Sequence, residues 1–300
     1  MEHTITEAVL VCPVCAGAGQ LPFLSVRDNT VSRATFDLTC CDQCGFCSTN
    51  PRPTRGVIGG FYDSADYISH TNASSGIRAW AYQKIRRRAI KGKHRLIAKH
   101  SPRGKALDVG CGTGEFLAYL KSKGYQPIGV EPSVKARDQA IGNHALRVVP
   151  NLDALPTDAQ FEVVTLWHAL EHVHDVRETL NKLHTRMSPG ALLVIAVPDR
   201  ESWDARHYAA DWAAYDVPRH LSHFRRKDLH RLLADHGFKV LATRPMWYDA
   251  FYVSMLSEPN RGSGPLAALV KGAIVGALSN LVALTTTYPT SSSLYLAEKR

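Results

Sequence analysis

The chain has no basic-then-apolar leader: Met1–Ala8 carries two glutamates, which argues against a signal peptide. No internal repeat or low-complexity tract is evident. Cysteine is nearly absent beyond the N-terminus. Of seven, only Cys111 follows Cys47, while Cys12, Cys15, Cys40, Cys41, Cys44 and Cys47 crowd the start. The odd total and the C-x-x-C spacing favour metal binding in a reducing compartment over a disulfide scaffold. Neither the G-x-G-x-x-G of dinucleotide enzymes nor a P-loop with its Lys-Ser/Thr is found. Acidic residues are the minority, 27 Asp and Glu against 36 Lys and Arg, for a net charge of +9. That balance permits nucleic acid, anionic lipid or phosphorylated substrates. The positive charge is uneven, crowding Arg86–Arg95 and Arg225–Lys227. Such runs read first as solvated helix faces.

Hydrophobic residues make up 45% of 300, enough for one large domain with additions or two modest ones. The most informative stretch is Lys105–Gly124, K-A-L-D-V-G-C-G-T-G-E-F-L-A-Y-L-K-S-K-G. Ala106–Val109 reads as a buried strand, and Phe116, Leu117 and Leu120 recur at helical spacing. Between them Gly110, Gly112 and Gly114 alternate with Cys111 and Thr113. Glycines there let a ligand lie against the backbone, and the helix N-terminus beyond offers unpaired N–H groups. A second strand, Gln126–Val130, ends in Glu131, an acid well placed to take both hydroxyls of a ribose.

In this order the motifs resemble class I S-adenosylmethionine-dependent methyltransferases, from about Lys105 to Phe238. The resemblance implies a doubly wound, Rossmann-like α/β sheet and S-adenosylmethionine as cofactor. It places the methionine part of the cofactor along Gly110, Cys111, Gly112 and Gly114. Asp108 would order that loop or contact the amino group through water, and Glu131 with Pro132 would hold the ribose. The loop after the third strand (Ala145–Val149) commonly touches adenine in this family, making Asn151, Leu152 and Asp153 candidates.

Residues 1–53 read as a zinc ribbon. C-P-V-C at Cys12–Cys15 and C-D-Q-C-G at Cys41–Gly45 supply four thiolates, Cys12, Cys15, Cys41 and Cys44, for a closed structural site. Cys40 and Cys47 read as spare thiols. Residues 54–100 form a cap and a basic helical linker. Tyr62, Tyr67 and His70 either cover the cofactor or pack the ribbon on the main domain. Ile77–His100 reads as one helix with Ile85, Ile90, Leu96 and Ile97 inward and a break at Gly92.

Residues 101–300 form the main domain by βα alternation. The fourth strand, Phe161–Leu166, runs into W-H-A-L-E-H-V at Trp167–Val173. Ligands and chemistry sit at such strand ends, so Trp167 and His168 are cofactor candidates and His168 is also the first candidate general base. The stretch is similar to the L-E-H-V of ubiquinone-biosynthesis O-methyltransferases. In some of those, acidic residues here and the histidine bind a divalent metal. This chain has His168 where they place a glutamate, leaving Glu171 and His172 as a partial metal site or as a helix-start pair that shapes the pocket. A helix over Val176–Met187 and a fifth strand, Ala191–Val197, precede an aromatic insertion, Asp199–His223. Its Y-D-V-P-R-H-L-S-H-F resembles a stretch in bacterial methyltransferases that also carry both cysteine knuckles and the N-P-R-P exit. That subfamily is often found with cell-surface polysaccharide or glycolipid biosynthesis. Arg219, His220 and His223 are expected over the exit of the methyl group, the histidines as alternative bases.

A sixth strand, Phe238–Pro245, and a last one, Ser291–Lys299, flank an apolar insertion at about 254–287. In the resembled family the last strand inserts antiparallel beside the sixth. Leu266–Leu284 is long enough to span a bilayer, but Lys271 is costly there. A single span would also put the last strand across the membrane from its sheet. The segment therefore reads as a helical hairpin or lid, a membrane-surface element or a homodimer contact.

The resulting expectation is a cytoplasmic or membrane-peripheral methyltransferase acting on a sugar hydroxyl or lipid-linked glycan precursor. Three alternatives stand beside it. One is a sugar-nucleotide C-methyltransferase, though this chain has no room for the usual further domain. Another is an RNA methyltransferase using the ribbon and Arg86–Arg95, though W-H-A-L replaces the N-P-P-[FYW] signature of base amino methylation. The last is a non-catalytic scaffold, against which the intact loop and Glu131 argue.

Overall fold

The computed structural model describes residues 5–62, 77–101 and 103–300, with the backbone alone for 77–86. Tyr67 and His70 lie outside the described residues, as does the side chain of Ile85. Five short strands come first: β1 (Thr6–Glu7), β2 (Gln20–Arg27), β3 (Thr35–Cys41), β4 (Cys47–Thr49) and β5 (Arg52–Pro53). Helix α1 (Ile77–Ala98) then runs unbroken through Gly92. One glycine costs a helix only about 1 kcal/mol, and the fully buried Ile97 anchors its end.

The main domain follows as β6 (Gly104–Val109), α2 (Glu115–Ser122), β7 (Tyr125–Val130), α3 (Val134–His144), β8 (Arg147–Val149), β9 (Phe161–Trp167), α4 (Val176–Thr185) and β10 (Met187–Pro198). After it come α5 (Trp203–Tyr208), β11 (Ser222–His223), α6 (Arg226–Asp235), β12 (Phe238–Pro245), α7 (Trp247–Asn260), α8 (Pro265–Thr285) and β13 (Ser292–Lys299). Seven strands make one sheet in the order β12-β13-β10-β9-β6-β7-β8. Strands β6 to β10 are parallel, whereas β13 runs antiparallel between β10 and β12. The helix expected through Met187 stops at Thr185, because Met187 pairs with Phe161 and opens β10. Leu107, Val163, Val164, Leu166, Leu193, Val194 and Ile195 are fully buried. Their near-continuous apolar runs are what a parallel sheet covered on both faces requires.

The ribbon is stitched into this domain. Strand β11, from the insertion, adds to the edge of β4 with Ser222 opposite Ser48 and His223 opposite Cys47. Cys12, Val14, Cys41 and Phe46 share one apolar cluster with Leu107 and Ile195. Arg219 ties the seam from inside. Its side chain is 1% exposed and forked onto Asp216, while Nη2 also donates to Asp28 of the ribbon at 3.2 Å and Nη1 to the Phe61 carbonyl at 3.1 Å. Asp28 in turn accepts the backbone N–H groups of Thr30, Val31 and Ser32. Cys40 and Cys47, expected as spare thiols, lie opposite one another across β3 and β4 and are joined as a disulfide. Only the strand register reveals that adjacency.

The apolar insertion is a helical hairpin. Gly272 and Gly276 lie so close to α7 that a Cβ on them would sit 2.6 Å and 2.7 Å from the Cα atoms of Met255 and Phe251. Ser279 donates to Asp204 and the Asn280 amide to the Trp247 carbonyl, so one face of α8 is bonded to the domain. Leu266, Leu269, Val270, Ile274, Leu278, Leu281 and Leu284 face outward. Among the described residues α8 is the one helix long and apolar enough to cross a membrane, yet β13 behind it completes the sheet.

Replacing Arg219 by Met leaves two carboxylates short of their cation in a buried seam. Breaking a buried pair this way costs about 3–5 kcal/mol. Urea unfolding of Arg219→Met is expected to show that loss, and a midpoint within error of the parent would refute the strut.

Candidate active site

Strand order reverses between β6 and β9, and ligands of open α/β sheets bind beyond the strand ends at such a point. There the chain turns sharply. Gly110, Gly112 and Gly114 have φ of 75°, 55° and 83°, a region side chains disfavour. At Gly110 a Cβ would meet that of Ala169 at 2.8 Å, whereas at Gly112 nothing lies within 4 Å. Gly112 therefore borders open space in which a ligand can lie against the backbone. The Gly110 and Cys111 N–H groups donate to Val130, fastening the loop to the end of β7. Glu131, the next residue, accepts from Gly112 N at 2.9 Å with Oε2 and from Ser133 N at 2.8 Å with Oε1. Burial raises its carboxyl above the usual range against those bonds.

Asp108 is 4% exposed, accepts from Thr165 Oγ1 at 2.6 Å, and is pushed up to about 6 by burial. Burial and the neighbouring carboxylates keep Cys111 a thiol. Pro132 is exposed beside Glu131. Asn151 caps the short turn after β8 by accepting from Ala154 N, and Leu152 packs on the core. Asp153 is drawn outward to Lys182 at 2.7 Å.

At the tip of β9 the Trp167 ring lies under Lys93 Nζ at 4.2 Å. His168 has φ of 53°, uncommon for a side-chain-bearing residue, and its N–H still bonds Ala196. That twist turns the imidazole between two carboxylates. Nε2 is 3.1 Å from Asp249 and Nδ1 is 3.4 Å from Glu171. Burial disfavours the charged ring, but bonds to Asp249 and Glu171 outweigh it and push its pKa up to about 10. In this state His168 is an imidazolium with both nitrogens engaged, not a free base. Asp249, on α7, carries no motif that sequence reading could have caught.

The other two candidate bases are elsewhere. His223 is buried in the ribbon seam, where Nε2 bonds Thr49 Oγ1 at 3.0 Å, and burial holds it well below the ordinary histidine range. His220 is 8% exposed, with Nδ1 bonded to the Ala214 carbonyl and its ring against His172. His223 is carried to the ribbon by β11, whereas His220 stays beside Glu171 and His172. Tyr62 lies 3.0 Å from His172 Nδ1, near this cluster.

The four knuckle cysteines converge as expected. Cys12 and Cys44 sulfurs are 3.5 Å apart, and those of Cys15 and Cys41 are 3.4 Å apart. A tetrahedral zinc with bonds of about 2.3 Å has edges of roughly 3.8 Å, so the donor set fits that ion. Burial opposes ionisation of Cys41, but the N–H groups of Cys44 and Gln43 bring it down to about 7.

Comparison with known proteins agrees with this architecture. The chain belongs to the methyltransferase domain family, whose model matches residues 81–243. It is 25% identical over 164 residues to malonyl-acyl-carrier-protein O-methyltransferase of Salmonella typhimurium, covering 52% of this chain and 64% of that protein. With ubiquinone biosynthesis O-methyltransferase of Rhodopseudomonas palustris it shares 30% over 117 residues, 37% of this chain and 46% of that one. The chain thus spans about half to two thirds of these curated relatives. Its fold is similar to magnesium protoporphyrin IX methyltransferase from Synechocystis with bound SAH, at TM-score 0.54 and 12% identity over 82% of this chain and all of that one.

Cys41→Ser is expected to lower bound zinc by one equivalent per chain, and Cys40→Ser to leave it unchanged. Elemental analysis of both purified variants checks this, and equal zinc in the two would remove the tetrathiolate assignment.

Proposed function

We propose that the protein transfers a methyl group from S-adenosylmethionine to a hydroxyl of a sugar or lipid-linked glycan precursor. The observation that carries the cofactor is the clasp between Glu131 and Gly112. One carboxylate, at the end of β7, holds open the glycine turn at the end of β6. Each of its oxygens keeps a second lone pair for ribose hydroxyls. The space at Gly112 takes the methionine part, and the buried Asp108, held by Thr165, orders the loop or meets the amino group through water. Asn151 and Leu152 border the adenine end. The sulfonium makes the methyl group ready for displacement when bound. What remains for this chain is to align the acceptor and take its proton. His168 and Asp249 are the proton-handling pair, since they meet at the strand end beside the loop. The imidazolium would first pass its Nε2 proton to Asp249, and the neutral ring would then take the proton of an acceptor hydroxyl at Nε2 as the methyl group is transferred.

The hairpin favours an acceptor attached to lipid. Asp249 lies on α7, where Tyr248 and Tyr252 are exposed, and α8 continues that surface with its outward stripe. No acid occurs between Glu258 and Glu298, while Arg261 and Lys271 are exposed there. Arg261 is paired with Asp211, which leaves the Lys271 ammonium beside the apolar stripe as a group that an anionic bilayer surface attracts. Sedimentation with phosphatidylglycerol vesicles is expected, and Ile274→Glu should abolish it. Equal sedimentation of parent and variant would remove α8 from the contact.

Isothermal titration with S-adenosylhomocysteine tests the cofactor. Glu131→Ala is expected to weaken binding roughly 10- to 100-fold, the scale of a lost charged hydrogen bond. His168→Ala should bind as the parent does yet lose about 100-fold or more in turnover, the usual share of a general base. Unchanged affinity in the first variant, or unchanged turnover in the second, would withdraw that residue.

A further inference from the structure

Beneath His168 a second cluster of donors lies apart from the four cysteines. Glu171, His172 and His220 each bring a ligand atom within 4.8 Å of the other two. Glu171 is 1% exposed, and neither of its carboxylate oxygens has a hydrogen-bond partner. The contact to His168 at 3.4 Å is an ion pair too long for a good hydrogen bond. The one charge of His168 is shared between this carboxylate and Asp249, so a further cation beside Glu171 would lower the cost of its burial.

The tautomers of the two imidazoles follow from their partners. A carbonyl oxygen only accepts, so the nitrogen facing it carries the proton. His172 Nδ1 is 3.0 Å from the Arg219 carbonyl and from the Tyr62 hydroxyl, of which the hydroxyl can also accept, and His220 Nδ1 is 2.8 Å from the Ala214 carbonyl. Nε2 of each ring therefore presents its lone pair. An Nδ1–H held by a backbone carbonyl, with Nε2 left bare, is how proteins orient metal-binding histidines. The two rings stand edge to face with centroids 4.6 Å apart.

We propose that Glu171, His172 and His220 form a second metal site, suited to a divalent ion that accepts imidazole and carboxylate donors, such as zinc or cobalt. It is not the set carried over from ubiquinone-type enzymes. Residue 168 is a histidine turned toward Asp249, and the third donor comes from the insertion instead. Asp216, with Oδ2 3.9 Å from His220 Nε2, is a further carboxylate within reach of a small shift. The ion would bolt the loop after β9 to the insertion. This inference is independent of the proposed reaction, because it is read by counting metal.

The test uses the full chain with its cysteine site already loaded with zinc. Cobalt(II) is added, excess is removed by gel filtration, and both metals are counted. One retained cobalt per chain is expected alongside one zinc. Its visible bands should lack the intense thiolate charge transfer that cobalt shows in a cysteine site. Glu171→Gln and His220→Asn should each lose the cobalt and keep the zinc, which also reports that the ribbon is folded. Cys41→Ser should keep the cobalt. A parent protein that retains no cobalt, or a Glu171→Gln variant that retains as much as the parent, would overturn the assignment. The parent measurement decides even if a variant fails to fold.

Discussion

The buried guanidinium of Arg219 is the constraint on which the arrangement of the N-terminal half rests. At 1% exposure it cannot shed its charge, so its donors must all be met inside the protein. They are met by three pieces of chain distant in sequence: Asp28 in the ribbon, Phe61 after it, and Asp216 in the insertion. Each piece is thereby held at a fixed distance from the others. The backbone follows the side chain. The Arg219 carbonyl faces His172, the next residue packs its ring on His172, and Ser222 and His223 become the fourth strand of the ribbon sheet. One ion pair network thus sets both the ribbon's position and the geometry of the polar cluster beneath the strand ends.

A second chain of contacts runs from the hairpin to the same place. The small faces of Gly272 and Gly276 let α8 press directly on the backbone of α7. Asn280 also holds the Trp247 carbonyl at the start of α7. That start carries Asp249, which reaches His168. The apolar helix is therefore part of what positions a charged residue at the strand end. Bulk at either glycine would have to be absorbed by a shift of α7, and Asp249 would move with it.

The sequence makes legible whatever depends on short range. The glycine turn, Glu131 and the two cysteine knuckles each lie within a few residues of their partners, and βα alternation implies the parallel sheet. Pairings without local trace were not legible. Ser222 opposite Ser48 leaves no spacing to read, so nothing in the sequence tells that His223 belongs to the ribbon sheet. Cys40 and Cys47 become neighbours only once the register of β3 and β4 is known. Asp249 sits in a stretch with no motif at all, 3.1 Å from the residue whose chemistry it changes most. His168 itself was found by position, at the end of the fourth strand. Its engagement by two carboxylates was not, because one of them arrives from a helix late in the chain.

The charges at the strand ends point one way. Asp108, Glu131, Glu171 and Asp249 gather around the strand ends, with Lys93, Arg137 and His168 among the neighbouring cations. Burial makes charge costly there and raises Asp108, to about 6, and Glu131, whereas His168 holds Glu171 and Asp249 below the usual range. A ligand bearing an ammonium and a sulfonium relieves that cost, since opposite charge in a low-dielectric cleft favours the ionised carboxylate. Methyl transfer then removes the sulfonium charge and leaves a neutral thioether in the same surroundings. The attraction that gathered the cofactor is weakened by the reaction itself.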